Sequence, residues 1–203
     1  MSSPRPLGRP RLVLGSTSPY RRELLQRLRL PFEVHSPRVD ESPRTGEVPA
    51  DLARRLALEK ALDVASRHAG AVVIGADQVA ELDGQAIGKP GTHARAVAQL
   101  QAMQGRRVVF HTAVAVVRAD TGFAQVVLAP VQVKFRPLSD GEIERYLQLE
   151  QPYDCAGSAK CEALGIALLE TIASDDPTAL IGLPLMRTCT LLRLAGINPL
   201  EVA

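Results

Sequence analysis

This sequence has few aromatic residues, and its basic residues barely outnumber its acidic ones. Only 3% of its 203 residues are aromatic and none is tryptophan, which argues against a stacking surface for single-stranded nucleic acid. The formal net charge is +2, too small to indicate a nucleic-acid coat or a basic membrane-binding surface. We therefore expect neither a nucleic-acid partner nor a membrane partner.

Cysteines are few, and long apolar runs are missing. Cys155, Cys161 and Cys189 form an odd set without a C-x-x-C pair, which fits neither a disulfide framework nor a zinc site and favours a reducing cytoplasm. No apolar run reaches the ~18–20 residues of a transmembrane helix. Residues 1–10 lack the apolar centre of a signal peptide, so we expect a disordered tail there, followed by a single domain over residues 11–203.

Apolar residues recur with both helical and strand periods, which predicts an α/β fold. Helices are expected over residues 20–30, 49–67, 92–104, 139–150 and 184–194. Strands are expected over residues 12–15, 32–39, 71–76, 79–82, 85–87, 107–118, 125–136 and 165–172. Asp83-Gly84 is typical of a hairpin turn, and Ser139 with Glu142 of a capping box. We therefore predict a mixed central sheet with flanking helices.

Polar residues gather where the first strand meets the first helix. Ser16, Ser18 and Arg21 occupy this turn. Hydroxyls, free amides and a guanidinium at a helix N-terminus suit an anion such as phosphate. A plain N-cap followed by exposed arginines explains the same segment more simply.

Acidic residues at two positions could bind a cation or act as a base. Asp40-Glu41 is a carboxylate pair on a loop, which suits Mg²⁺, although such a pair is more often a solvated acidic loop. Asp77 ends an apolar strand, where ligands of α/β sheets gather. It is a candidate metal ligand or general base, or else a turn residue. The histidines show no metal-ligand spacing and are expected to be structural or surface residues.

Two lysines and a small-residue turn are further candidates for ligand contacts. Lys60 falls within the apolar arc of a helix, so it must snorkel to water or reach into a pocket. Lys89 follows Gly88 in a segment that is not a P-loop but still offers a point charge to a phosphate. The turn at Gly157 permits a close approach, or is simply a loop. The residues alone predict a metal-assisted enzyme acting on a phosphorylated small molecule.

Six short motifs occur in a family-like order. They are Ser16-x-Ser18-Pro19-x-Arg21-Arg22, Val39-Asp40-Glu41, Glu59-Lys60-Ala61, Gly75-x-Asp77-Gln78-Val79, Gly88-Lys89-Pro90 and Gly182-Leu183-Pro184. In this order the sequence resembles the Maf family of nucleoside-triphosphate pyrophosphatases, from about Leu12 to Pro199. The resemblance implies an inosine-triphosphatase-like (Maf/Ham1-type) catalytic domain with two lobes around a cleft. It also implies a divalent cation, Mg²⁺ or Mn²⁺, a small-molecule nucleotide substrate and a homodimer.

The resemblance also implies a role for individual residues. Asp77 resembles the general base and, together with Glu41, a metal-associated carboxylate. The residues that resemble triphosphate contacts are Ser16, Arg21, Lys60 and Lys89. A water molecule deprotonated by Asp77 would attack the α-phosphorus and release pyrophosphate, so no covalent intermediate is needed.

Three positions depart from the commoner family pattern. Tyr20 and Gln78 replace an Arg and a Thr, and Glu162 stands where a neutral Gln is usual. Together they point to the branch that acts on 7-methyl-GTP. N7-methylguanine is cationic, so Tyr20 would attract it by roughly 0.5–2 kcal/mol of cation–π energy. Glu162 would accept hydrogen bonds from N1–H and the exocyclic amino group, and Gln78 would fix the base or the sugar.

Two other functions remain open from the sequence. The chain could hydrolyse dTTP, UTP or a broader set of modified nucleotides, which Tyr20 and Glu162 argue against. It could instead be a nucleotide-sensing regulator of septum formation, a role associated with the family. A binding protein would tolerate Asp77→Asn, whereas an enzyme would not.

Overall fold

A computed structural model describes residues 10–201, so the tail expected at residues 1–10 lies outside them except for Pro10. The strands are β1 (Leu12–Gly15), β2 (Glu33–Val34), β3 (Val72–Leu82), β4 (Gln85–Ile87), β5 (Arg107–Arg118), β6 (Phe123–Phe135) and β7 (Leu169–Ala173). The helices are α1 (Pro19–Gln26), α2 (Pro49–Ala65), α3 (His93–Met103), α4 (Asp140–Glu150) and α5 (Leu185–Leu194). Over the described residues, no helix combines the length and apolar character that a bilayer span requires.

The seven strands formed by residues 10–201 belong to one mixed sheet. Its order is β2-β1-β3-β5-β6-β7, with β4 paired to β3. Strand β1 runs parallel to β2 and β3. The pairs β3–β4, β3–β5, β5–β6 and β6–β7 are antiparallel. The predicted α/β class with a mixed sheet and flanking helices is confirmed.

The strands at the centre of the sheet are covered on both faces. Val13 and Val73 pack beneath α2, whereas Leu14 and Ile74 belong to the apolar cluster around α1 and α5. A continuous apolar run is expected for strands buried in this way. A third apolar cluster surrounds α3, α4, the first residues of β5 and the last residues of β6.

Helix α2 lies directly against Gly75 of β3. A Cβ atom there would lie 2.2 Å from the carbonyl oxygen of Ala57 and 2.6 Å from the backbone nitrogen of Ala61. No side chain fits at those distances, so glycine is required by the contact between helix and strand. The same turn of α2 carries Lys60, which is thereby placed beside β3.

Several predicted elements are confirmed with small changes at their ends. Helices α2 to α5 and strands β4 to β6 form as expected, and Asp83-Gly84 makes the hairpin turn. The capping box also forms, because Ser139 accepts from the Glu142 backbone N–H and the Glu142 carboxylate accepts from the Ser139 N–H.

Other predicted boundaries are wrong. Helix α1 ends at Gln26 rather than at residue 30, since the chain turns over the following residues and Arg29 has a φ of 54°. The strand expected at 32–39 is only Glu33–Val34, at the sheet edge, where Pro37 soon removes a hydrogen-bond donor. The strand expected from residue 165 begins at Leu169, after a short 3₁₀ segment.

Candidate active site

One pocket collects most of the residues that the sequence singled out. It lies where β1 meets α1, next to α2, β3 and the loop over residues 154–159. Its lining includes Ser16, Tyr20, Arg21, Glu41, Lys60, Gln78 and Lys89. These positions are spread over much of the chain, so the fold brings separate motifs into one place.

Lys60 lies at the centre of the charged groups. Its Nζ atom is 2.7 Å from Oε1 of Glu41 and 2.7 Å from Oδ1 of Asp77. The Lys60 side chain is 6% exposed, that of Asp77 is 10% exposed and that of Glu41 is 56% exposed. Lys60 therefore does not snorkel to water but reaches into the pocket, and it links a buried carboxylate to an exposed one.

Asp77 does not end a strand, contrary to the prediction. Strand β3 continues from Val72 to Leu82, and Asp77 pairs with Ala113 of β5. The second half of β3 also pairs with β4, which sustains the strand beyond the apolar run. Asp77 is therefore held by backbone pairing in the middle of a strand, which fixes its carboxylate more firmly than a loop would.

Cations surround Glu41. Partial burial acts to raise the pKa of Glu41, but the hydrogen bond and charge of Lys60, with the charges of Lys89 and Arg21, leave that pKa below its ordinary value. Glu41 is therefore ionised at neutral pH. It can serve as an oxygen ligand for a hard cation.

Arg21 is anchored by the backbone of a distant segment. Its Nε donates to the carbonyl oxygen of Gly182 at 2.9 Å. Burial lowers the pKa of Arg21, and the charges of Asp77 and Glu41 oppose that change. A guanidinium stays protonated in proteins, so Arg21 is a fixed cation at the pocket wall.

The turn before α1 is ordered by its own hydroxyl groups. Ser18 is the N-cap, and its Oγ accepts from the Arg21 N–H at 3.4 Å. Ser16 is buried, and its Oγ accepts from the Ser18 N–H at 3.2 Å. This segment therefore caps α1 and also lines the pocket. A helix cap and an anion-binding turn are thus compatible interpretations of it.

Gln78 uses its amide nitrogen within the fold. Its Nε2 donates to Thr112 Oγ1 at 2.9 Å and to the carbonyl oxygens of Ala179 and Leu180 at 3.1 and 3.0 Å. The bonds to Ala179 and Leu180 tie β3 to the segment that leads to α5, and the bond to Thr112 ties it to β5. The amide oxygen is the part of the side chain that those bonds do not use.

The charge of Glu162 acts on Tyr20, but of these two only Tyr20 belongs to the pocket lining among the described residues. Glu162 is exposed, and desolvation by the adjacent protein surface raises its pKa although Lys160 opposes that change. The Lys160 Nζ lies 5.9 Å from the centre of the Tyr20 ring. The Tyr20 ring therefore already has a cation close to it.

Sequence reasoning missed Asp154 and Cys155 as pocket residues, and it considered Cys155 only as one of three cysteines without a C-x-x-C pair. Both line the pocket next to Tyr20. Desolvation has the largest effect on the pKa of the Cys155 thiol and the charge of Asp154 the second largest. Together they raise that pKa to about 12. Cys155 is therefore protonated at neutral pH and is a poor nucleophile. The only signal for these residues was their place just before Gly157.

Two groups of side chains could hold a metal ion. Glu41 and Asp77 each give one oxygen to Lys60 and have a second oxygen, which suits a hard divalent cation. Glu33, His35 and His68 have potential ligand atoms within 4.8 Å of one another. His35 and His68 have no metal-ligand spacing in the sequence, but the fold brings them together just after the edge strand β2 and in the turn after α2.

Comparisons with known proteins cover almost the whole chain. A family model described as "Maf-like protein" matches residues 11–195. A protein of Albidiferax ferrireducens is 67% identical over 94% of this chain and 96% of its own length, and one of Polaromonas sp. is 68% identical over 95% and 87%. One of Cupriavidus metallidurans is 61% identical over 93% and 94%. All three relatives carry the name "7-methyl-GTP pyrophosphatase".

Proposed function

The chain belongs to the Maf family, and from this premise we propose that it hydrolyses 7-methyl-GTP to 7-methyl-GMP and pyrophosphate. The observation that carries this proposal is the shared name of relatives that are 61–68% identical over at least 93% of the chain. The enzyme is a nucleoside-triphosphate pyrophosphatase, a hydrolase of a phosphoanhydride bond.

The nucleotide occupies a cleft between two lobes in this proposal. One lobe consists of the clusters beneath α2 and around α1 and α5, and the other of the cluster around α3 and α4. The pocket takes Ser16, Glu41 and Lys60 from the first side and Cys155 and Ala159 from the second. Such a cleft lets the phosphates and the base meet different walls.

The charges around the pocket nearly cancel. The cations are Arg21, Lys60 and Lys89, and the carboxylates are Glu41, Asp77 and Asp154. A triphosphate adds several further negative charges, which this balanced set cannot neutralise alone. The balance supports a divalent cation, Mg²⁺ or Mn²⁺, as part of the working site.

Glu41 and Asp77 are the residues that would hold this cation. Their carboxylate oxygens are the ligand type that Mg²⁺ and Mn²⁺ prefer. When bound, the cation supplies positive charge to the phosphate oxygens. Lys60 keeps the two carboxylates together through its 2.7 Å contacts with both.

Water attack on the α-phosphorus is assigned to Asp77. Its carboxylate is nearly buried, fixed on β3 and adjacent to the Lys60 ammonium. It orients the water molecule and accepts its proton. Arg21 and Lys89 face the charge that develops on the leaving pyrophosphate, and the Ser16 hydroxyl donates a hydrogen bond to a phosphate oxygen.

Tyr20, Gln78 and Glu162 are assigned to recognition of the base. The ring of Tyr20 attracts the cationic methylguanine, and Lys160 must share or vacate its place beside that ring. The oxygen of Gln78 faces the base or the sugar. Glu162 is not in the pocket lining, but its charge acts on Tyr20; in this proposal it accepts from N1–H and the exocyclic amino group.

Pyrophosphate release from a panel of nucleotides tests the proposal. The panel contains 7-methyl-GTP, GTP, dTTP, UTP and CTP, with Mg²⁺ or Mn²⁺ present and Asp77→Asn as the control. We expect strong preference for 7-methyl-GTP and loss of activity in the control. Activity confined to dTTP and UTP would retain the family and reject the substrate. Binding without hydrolysis would favour a nucleotide-sensing protein.

A further inference from the structure

Two loops that line the pocket are joined by one side chain behind them. Gln99 of α3 accepts a hydrogen bond from Ser158 Oγ at its Oε1 atom (2.6 Å). Its Nε2 donates to the carbonyl oxygen of Gly88 at 3.1 Å. Gly88 directly precedes Lys89, and Ser158 lies in the 154–159 loop, so one amide bridges the two segments.

The loop at Ser158 has a backbone that needs such support. Ser158 is fully buried and has a φ of 54°, and Gly157 before it has a φ of 64°. A left-handed conformation is uncommon for a residue with a side chain and persists only when the surroundings hold it. Gln99 holds the Ser158 hydroxyl, and the Tyr146 hydroxyl donates to the Ser158 carbonyl oxygen at 3.1 Å.

The connection between the two segments is also made through the backbone. The N–H of Gly157 donates to the same Gly88 carbonyl oxygen at 3.4 Å. The N–H of Gly91 donates to the carbonyl oxygen of Tyr153 at 3.0 Å. The turn around Lys89 and the 154–159 loop are therefore packed as a pair, with Gln99 as the side chain that spans them.

We propose, resting on the function proposed above, that Gln99 is a positioning residue that sets phosphate contact and base recognition together. It acts on the phosphate side through Gly88, which fixes the turn that carries Lys89. It acts on the base side through Ser158, which fixes the loop beside Tyr20. Gln99 itself does not line the pocket among the described residues.

Three variants separate the two arms of this bridge. Gln99→Leu removes both. Gln99→Glu keeps an oxygen for the Ser158 hydroxyl but replaces the donor to Gly88 with an oxygen. Ser158→Ala removes only the loop arm. Gln101→Leu is the matched control, because Gln101 lies on the same helix and donates to Asp140 Oδ1 at 2.8 Å, away from both pocket segments.

Kinetics with 7-methyl-GTP and GTP then test the proposal. We expect Gln99→Leu to lose about tenfold in kcat/KM, the size of one well-placed hydrogen bond or slightly more, and part of the preference for 7-methyl-GTP. Gln99→Glu should lower kcat and keep that preference, whereas Ser158→Ala should weaken the preference and keep most of kcat. Gln101→Leu should match the wild type.

A double variant distinguishes positioning from a general loss of structure. In a Lys89→Ala background, Gln99→Glu should have little further effect, because the residue it positions is gone. Fully multiplicative losses, or equal kinetics for Gln99→Leu and Gln101→Leu, would overturn the proposal.

Hydrogen exchange separates this inference from the proposed function. If the wild type hydrolysed no nucleotide, the proposed function would fail, but the bridge would still be measurable. Gln99→Leu should raise amide exchange over both residues 86–91 and 155–160 relative to Gln101→Leu. Unchanged exchange at either segment would show that Gln99 does not join them.

Discussion

The Nζ atom of Lys60 lies 2.7 Å from Oδ1 of Asp77, a contact between a helix and the middle of a strand. Both side chains are at most 10% exposed. A buried ion pair adds little net stability compared with apolar residues, but loss of one partner leaves a buried charge unpaired. Substitution of Lys60 or Asp77 alone should therefore destabilise the folded protein.

Lys60→Met should reduce both activity and stability. It leaves Asp77 without its cation, so the free energy of unfolding should fall by about 3 kcal/mol. Urea unfolding measures this loss, and pyrophosphate release measures activity. The double variant Lys60→Met with Asp77→Asn should recover at least half of the stability while remaining inactive. If the double variant were less stable than the single one, the ion pair would not be the cause.

The preference for 7-methyl-GTP should depend on pH through Glu162. Desolvation raises the pKa of Glu162, so the group takes up a proton at a higher pH than an ordinary glutamate does. The preference over GTP should therefore fall as the pH is lowered through that raised pKa. Glu162→Gln should have a low preference at every pH. A variant with unchanged preference would remove Glu162 from base recognition.

The same shift has a defined sign for folding. Because the pKa of Glu162 is higher in the folded than in the unfolded chain, the folded state holds the proton more strongly between the two values. Its contribution to stability is therefore largest below the unfolded pKa and falls as the pH rises through the folded pKa. Unfolding curves of the wild type and Glu162→Gln should converge at low pH if other groups are unaffected.

Removal of divalent metal should abolish hydrolysis. The metal that is required should be the one held by Glu41 and Asp77, not one held by Glu33, His35 and His68. Glu41→Gln should raise the Mg²⁺ concentration needed for half-maximal activity by about tenfold or more, as the loss of one charged ligand predicts. His68→Ala alters the Glu33–His35–His68 group, in which Glu33 is exposed and both histidines are half-buried, and should leave the Mg²⁺ dependence unchanged. If His68→Ala shifted the Mg²⁺ dependence, the required metal would bind at the Glu33–His35–His68 group. Our assignment of the metal to Glu41 and Asp77 would then be wrong.

Gly75→Ala should destabilise the protein strongly. The added Cβ would meet the Ala57 carbonyl oxygen at 2.2 Å, so α2 must move away from β3, at a cost of about 3 kcal/mol. Activity should fall as well, because Lys60 moves with the helix. Gly141→Ala, in α4, is the control, since nothing lies within 4 Å of its Cβ. It should be neutral or slightly stabilising in thermal unfolding.

Local sequence signals account for most of the fold. Periodicity and caps placed β5, α3 and α4 almost to the residue, because their signals act within a few positions. The edge strand β2 was overextended, since its length depends on pairing with β1 rather than on its own residues. The extension of β3 through Asp77 was missed because cross-strand partners, not an apolar run, sustain it.

The sequence predicted which residues form the site but not the contacts between them. The sequence singled out seven residues that line the pocket, through the order and family-like spacing of short motifs. It could not show that Gln78 commits its amide nitrogen to three oxygens, or that Lys160 lies beside the Tyr20 ring. Those contacts join segments that are distant along the chain, where no local pattern records them.

The near balance of charge in the pocket also concerns how a nucleotide arrives. Equal numbers of cations and carboxylates in one pocket, with Lys60 only 2.7 Å from both Glu41 and Asp77, produce little field beyond a Debye length of about 8–10 Å. Long-range attraction therefore contributes little to the encounter, and the association rate should vary only weakly with ionic strength. The pocket distinguishes nucleotides after contact, by fit and local charge, rather than by drawing anions in from solution.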